Sequence, residues 1–180
     1  AREALKLVDN PDPRNVEAYA VAAYWLAGEA GRPDLAERVL DEALRNNPSD
    51  YRVYMEKGIF ALKCGEYPRA TRYLDRALQY VPAGATDARD ATSIDLASVL
   101  TCRGLLYEIE ERPANAVECY RAVIAMFPGR AGLAGRMREI EQKGRPDQSP
   151  KDLAAILLRH RSHVCSEGEH ARAGEDAGEH

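Results

Sequence analysis

The chain lacks several features on which common activities depend. All four histidines lie at or beyond position 160, so the first 159 residues contain none. Ser-His-Asp and Cys-His catalysis both need an imidazole beside the nucleophile, and the main part of the chain therefore supports neither. No glycine-rich phosphate-binding loop occurs, and no run of 18 apolar residues predicts a transmembrane helix. These absences argue against an enzyme and against a membrane span.

Cysteine is scarce as well. The four residues form no CxxC pair and are Cys64, Cys102, Cys119 and Cys165. A disulfide framework is not expected from this pattern, and a reducing, cytoplasmic compartment fits better. His160, His163 and Cys165 have a spacing compatible with a metal site, but no clear fourth ligand accompanies them. We therefore predict a solvated tail there, with no metal and no cofactor.

The composition that remains is that of a globular protein. The 180 residues are 45% hydrophobic and 30% charged, and the formal net charge is −4. Nucleic-acid-binding proteins usually carry a concentrated basic face, so no nucleic-acid partner is predicted. We interpret two charged groups as solvated surfaces. One is the helix side with Arg69, Arg72 and Arg76, and the other is the acidic helix end with Glu108, Glu110 and Glu111.

A 34-residue repeat is the strongest pattern in the chain. Pro48 and Pro82 lie 34 residues apart. The same offset relates four further pairs: Ala36 and Ala70, Leu40 and Leu74, Ala43 and Ala77, and Gly31 and Gly65. A third copy follows at an offset of 46, with Glu111 where the others have a turn glycine. Its matching residues are Ala116, Tyr120, Val123 and Pro128. Each copy is predicted to form a helix, a short turn and a second helix.

These copies resemble the tetratricopeptide repeat family, whose pattern runs W-x2-L-G-x2-Y, then A-x3-F, then P. The second copy reads Tyr54-x2-Lys57-Gly58-x2-Ala61, Ala70-x3-Leu74 and Pro82. The third reads Leu100-x2-Arg103-Gly104-x2-Tyr107, Ala116-x3-Tyr120 and Pro128. The resemblance implies an all-α, right-handed helix-turn-helix solenoid. Gly58 and Gly104 are expected to let paired helices approach closely, with Leu74 and Tyr120 filling the space beside them.

The pattern also predicts how the chain is divided. Three repeats are expected at about 15–48, 49–82 and 95–128, with an insertion at 83–94. The insertion is either an exposed loop or a helix, capped by Thr86, that lengthens the first helix of the third repeat. Residues 1–14 resemble a second repeat helix, which suggests a partial repeat or a cap and a truncated start at Ala1. Capping helices are predicted over 129–161, and a disordered tail over 162–180.

The family resemblance also implies where a ligand would bind. In this family the first helix of each repeat lines a concave groove for extended or helical peptides. The positions carried over are Trp25, Arg52, Met55, Ile59, Leu62, Lys63, Cys102, Leu105 and Ile109. Trp25, Ile59 and Leu105 are equivalent in successive repeats, which predicts an apolar line along the groove. The alternative is that the protein covers this line itself, for example with the helix predicted over 150–161.

The function implied is a non-catalytic scaffold or adaptor with a protein or peptide partner. Some family members hold a terminal carboxylate with Lys, Asn and Arg, but this chain carries none of them there. The matching positions hold Val21, Trp25, Glu56, Ser98 and Cys102, so chaperone tails are not expected as ligands. The second possibility is an auxiliary domain of a larger enzyme, or of a secretion or assembly apparatus, with a self-covered groove. The sequence does not indicate an oligomeric state.

Overall fold

The computed structural model describes residues 14–82 and 91–152. Seven α-helices lie wholly within these residues, which contain no strand, and the all-α prediction is confirmed. They are α1 (Val16–Gly28), α2 (Pro33–Asn46), α3 (Tyr51–Lys63), α4 (Tyr67–Tyr80), α5 (Ala91–Ile109), α6 (Pro113–Met126) and α7 (Ala131–Lys143). The predicted first helix and tail lie outside the described residues, as does most of the insertion.

The described helices fall into two units, and α1 and α2 belong to the first. The side chain of Asn15 caps α1 by accepting a hydrogen bond from the backbone N–H of Ala18 at 3.0 Å. The helices then pack through small residues, since Ala36 and Ala43 of α2 are fully buried. At the end of α2, Asn46 Nδ2 donates to the Tyr19 hydroxyl of α1 at 2.8 Å. This pair is the helix-turn-helix structure predicted for the first repeat.

The second unit contains α3 to α7, in which α3 pairs with α4 and α5 pairs with α6. Both pairs meet at a glycine, as the sequence predicted. A Cβ added at Gly58 would lie 2.6 Å from Leu74 Cγ, and one added at Gly104 would lie 2.7 Å from Tyr120 Cζ. Carbon atoms in contact normally stay about 3.5 Å apart or more, so only glycine permits these approaches.

The turns inside the pairs share one backbone conformation. Gly31, Gly65 and Glu111 have φ angles of 58°, 76° and 59°. The left-handed region suits glycine and is unfavourable for a residue with a Cβ. The prediction that Glu111 occupies the position of a turn glycine is therefore confirmed, and this turn carries a strain that the other two lack.

The first helix of the third pair is longer than its counterparts. Helix α5 has 19 residues, whereas α1 and α3 have 13 each. It begins at Ala91, inside the predicted insertion, and the rest of that insertion lies outside the described residues. Tyr51 at the start of α3 bonds to Asp95 in this extension, with 2.9 Å between the hydroxyl and Oδ2. The extension thus gives α3 and α5 an additional contact.

Helix α7 follows the third pair and packs against α6. Gly144 ends it in the left-handed conformation, with a φ of 76°. A further helix begins at Pro150, where the Ser149 hydroxyl accepts a hydrogen bond from the backbone N–H of Lys151. The start of this helix matches the prediction, and its continuation from residue 153 lies outside the described residues.

Candidate functional site

Four of the predicted groove residues are buried. Met55, Ile59 and Leu62 of α3 are at most 3% exposed, and Leu105 of α5 is 1% exposed. We expected these side chains to form an apolar line open to a ligand. Each of the four is packed against the protein itself, with almost no surface left for another molecule.

The two basic residues that flank this line on α3 are exposed. Arg52 lies in the first turn and Lys63 in the last. The Arg52 guanidinium pairs with Asp50, with 2.6 Å between Nη2 and Oδ2. Burial raises the pKa of Asp50, but the hydrogen bonds from Arg52 outweigh it, and the pKa lies below its ordinary value. The charge of Arg52 is therefore largely compensated within the protein.

The remaining predicted residues differ in exposure. Cys102 and Ile109 of α5 are half-buried. Trp25 of α1 is 46% exposed, and it is the only tryptophan of the chain. It is the most accessible of the predicted apolar residues, and it lies in the first unit, whereas the other eight predicted residues lie in the second.

A buried ion pair that the sequence did not reveal links α5 to α7. The Glu108 carboxylate accepts hydrogen bonds from Arg136 Nε at 2.7 Å and Arg136 Nη2 at 2.9 Å, and also from the Tyr120 hydroxyl. The side chains of Glu108 and Arg136 are 4% and 5% exposed. The interpretation of Glu108 as part of a solvated helix end is therefore wrong, because its charge is paired inside the fold.

One sequence signal for this network existed. Tyr120 stands where the other two copies have leucine, at a position that packs on the glycine of the partner helix. A buried tyrosine hydroxyl normally finds a hydrogen-bond partner, and Glu108 lies one helical turn beyond Gly104, within reach of that hydroxyl. Burial, followed by the nearby carboxylate, raises the pKa of Tyr120 well above its ordinary value.

A pocket of about 770 Å³ lies next to this ion pair. Its charged lining residues are Glu108, Glu111, Arg145 and Asp147. Glu108 is held by Arg136, and Asp147 accepts a hydrogen bond from Lys143 at 2.8 Å. Among the described residues that line the pocket there is no histidine or cysteine. Two of its four charged residues are therefore paired, and its described lining offers no histidine or cysteine nucleophile.

Two of the three arginines of α4 make local contacts. Arg69 forms an ion pair with Glu66 and lies 6.0 Å from the ring centre of Tyr73. Arg76 donates to Gln79 at 2.8 Å and lies 5.9 Å from the ring centre of Tyr80. Contacts of this kind are common on a solvated helix face and do not by themselves indicate phosphate binding.

Residues 21–88 match the family model described as tetratricopeptide repeat. This segment carries tetratricopeptide repeats. No curated protein and no solved structure shows significant similarity to the chain.

Tetratricopeptide repeats generally mediate protein–protein interactions and are typically non-catalytic. The match begins within α1 and ends after α4, so it covers the first two helix pairs. The third pair, α5 and α6, lies beyond the match. It repeats features of the matched pairs, since Gly104 contacts Tyr120 as Gly58 contacts Leu74, and the turn at Glu111 is left-handed like that at Gly65.

Across residues 14–82 and 91–152, no cluster of three or more His, Cys, Asp or Glu side chains could hold a metal ion. His160, His163 and Cys165 lie outside the described residues. None of the described helices combines the length and apolar character that crossing a membrane requires.

Proposed function

We propose that the chain is a non-catalytic adaptor and that its partner binds the surface around Trp25. The proposal rests on the exposure of this residue, because 46% of its surface is accessible to solvent. Tryptophan is among the residues most enriched at the energetic centres of protein interfaces. An indole offers a large, rigid contact surface that loses little conformational entropy on binding.

Two observations support a binding role over a catalytic one. Tetratricopeptide repeats account for the first two helix pairs, and the family generally mediates protein–protein interactions. The buried ion pair of Glu108 and Arg136 also lacks the character of a catalytic pair. Each charge is matched by the other, so the pair is accounted for by the contact between α5 and α7.

The predicted groove residues take different roles in this proposal. Met55, Ile59, Leu62 and Leu105 stabilise the fold, since they are almost completely buried. Their burial favours the alternative in which the groove of the second unit is covered, as in an auxiliary domain of a larger assembly. The accessible predicted residues remain candidates for partner contact: Trp25, Arg52, Lys63, Cys102 and Ile109.

Site-specific photo-crosslinking tests the proposal. A benzoylphenylalanine residue would replace Trp25 in the full chain, expressed in its native host, and the covalent adducts would be identified by mass spectrometry. The matched control carries the same residue in place of Ile94, which is equally exposed at 47% but lies on α5. We expect a discrete protein adduct from position 25 and not from position 94. Equal adducts from both positions, or none from position 25, would contradict the proposal.

A further inference from the structure

Trp25 lies between two carboxylates of its own helix, Glu17 and Glu29. We define the α1 face as Glu17, Val21, Trp25 and Glu29, which follow one another at intervals of four residues. Neighbours at this spacing lie one turn apart, with roughly 6 Å between their Cβ atoms, while the row as a whole drifts round the helix from Glu17 to Glu29. Glu17, Trp25 and Glu29 are exposed, and Val21 is half-buried. The face is therefore an indole and a small apolar residue between two carboxylates.

Nothing in the described structure neutralises these carboxylates. The sequence of α1, VEAYAVAAYWLAG, contains no lysine or arginine. Within residues 14–82 and 91–152, neither Glu17 nor Glu29 forms a salt bridge. The nearest basic residue after the helix, Arg32, is paired with Asp34 at 2.9 Å. The described residues therefore leave the negative charge of the α1 face without a partner.

The position of Glu29 has no structural advantage. It is the C-cap of α1, with φ −71° and ψ −40°. The end of a helix carries partial negative charge, so a carboxylate there is unfavourable and a lysine or arginine would be preferred. Glu17, in the first turn, is in the favourable position for an acidic residue. Glu29 therefore weakens α1 slightly while completing an acidic surface beside Trp25.

We infer that the α1 face binds a cationic segment of the partner protein, with a lysine or arginine side chain over the indole of Trp25. Tryptophan is the strongest aromatic partner for a cation, and Glu29 adds a carboxylate one helical turn away. A second basic residue of the segment pairs with Glu17. This inference rests on the proposed adaptor function and adds the charge of the ligand to it.

Selection of displayed peptides tests the charge of the ligand directly. A library of random peptides is selected against the full chain and, in parallel, against the Trp25→Ala variant. We expect the sequences that depend on Trp25 to be enriched in lysine and arginine relative to the starting library. If the Trp25-dependent sequences are neutral or acidic, the inference is overturned while the adaptor proposal stands. If no sequence depends on Trp25, both are overturned.

Single variants then locate the contacts on one enriched peptide, measured by isothermal titration calorimetry. Trp25→Leu is expected to weaken binding about fivefold and Glu29→Gln about threefold, the magnitudes of an exposed cation–π contact and a surface ion pair. Added salt should weaken binding to the wild-type protein. Glu118→Gln is the matched control, since Glu118 is an exposed carboxylate on α6, in the second unit.

The Glu29→Gln variant keeps the test free of folding artefacts. Removing a carboxylate from the end of α1 should leave the helix as stable as before or slightly more stable. A loss of affinity in this variant therefore cannot be attributed to unfolding. Equal affinities for Glu29→Gln and Glu118→Gln would overturn the inference.

Discussion

Gly104 lies directly against the aromatic ring of Tyr120. A Cβ at this position would lie 2.7 Å from Cζ and 2.8 Å from Cδ1 of the ring. The ring is fully buried and its hydroxyl is bonded to Glu108, so it has little freedom to move away. The close approach of α5 and α6 therefore depends on the absence of a side chain at one residue.

Replacement of Gly104 with alanine is expected to lower the free energy of unfolding by about 1–3 kcal/mol, the usual effect of overpacking a core. Denaturant unfolding followed by circular dichroism measures the change. Gly135→Ala is the control, because Gly135 lies within α7 and a Cβ there meets nothing within 4 Å. This control should be more stable by about 0.5–1 kcal/mol, because alanine favours the helix. Equal effects of the two substitutions would contradict the packing described.

The sequence predicted the features that repeat and missed those that occur once. Gly58 with Leu74 and Gly104 with Tyr120 were predictable because the two contacts occupy matching positions in two copies. Even Glu111 in its left-handed turn followed from the alignment.

The burial of Glu108 was not predicted, because its partner Arg136 belongs to α7, which lies outside the repeats. Nor could the family pattern show that Ile59 is buried. The pattern assigns a residue to a helix face and does not show what covers that face.

Removing Arg136 is expected to leave Glu108 as an unpaired buried carboxylate. Breaking a buried ion pair in this way costs about 3–5 kcal/mol, so Arg136→Met should show a strongly lowered free energy of unfolding. Combining it with Glu108→Gln should restore part of the loss, since no buried charge then remains. If the double variant is as unstable as the sum of its single variants, the two residues do not act as a pair.

Tyr120 should make stability sensitive to alkaline pH. Burial, then the carboxylate of Glu108, raises the pKa of Tyr120 above its ordinary value of 10.0. The unfolded chain therefore loses this proton first as the pH rises past about 10, and the native state is destabilised by up to 1.4 kcal/mol per pH unit. Below pH 10 both the native and the unfolded state keep the Tyr120 proton, so the stabilisation that its burial gives is fully present there.

The Tyr120→Phe variant isolates this effect. Its unfolding free energy should fall less steeply above pH 10 than that of the wild-type protein. Some pH dependence should remain in both proteins, because Tyr51 and Tyr54 also have raised pKa values. At neutral pH the variant should lose only about 1 kcal/mol, for the lost hydrogen bond. Parallel slopes above pH 10 would show that Tyr120 titrates as an exposed tyrosine does.

Substitution at Ile59 distinguishes a core residue from a ligand contact. Ile59 is 1% exposed, so Ile59→Asp should unfold the second unit or lower its stability by several kcal/mol, with a visible loss of helicity. The comparison is Ile94→Asp, at a site 47% exposed, where less than about 0.5 kcal/mol is expected. If Ile59→Asp retained full helicity and lost only partner binding, Ile59 would be a groove residue.

Relief of strain at Glu111 is expected to stabilise the protein. Glu111→Gly removes the Cβ from a backbone with φ 59° and should raise the free energy of unfolding by about 0.5–1 kcal/mol. Glu111→Ala removes the same charge but keeps the Cβ, so it should show no such gain. A gain of the same size in both variants would assign the effect to charge and not to the backbone.

Trp25 gives the protein an internal optical reporter. It is the single tryptophan, so emission excited at the red edge of the absorption band comes from α1 alone. The indole is half-exposed when the protein is free, and a partner segment that covered it would shift the emission towards the blue. Occupancy of the α1 face can therefore be followed in the unlabelled, unmodified chain, in real time and at submicromolar concentration.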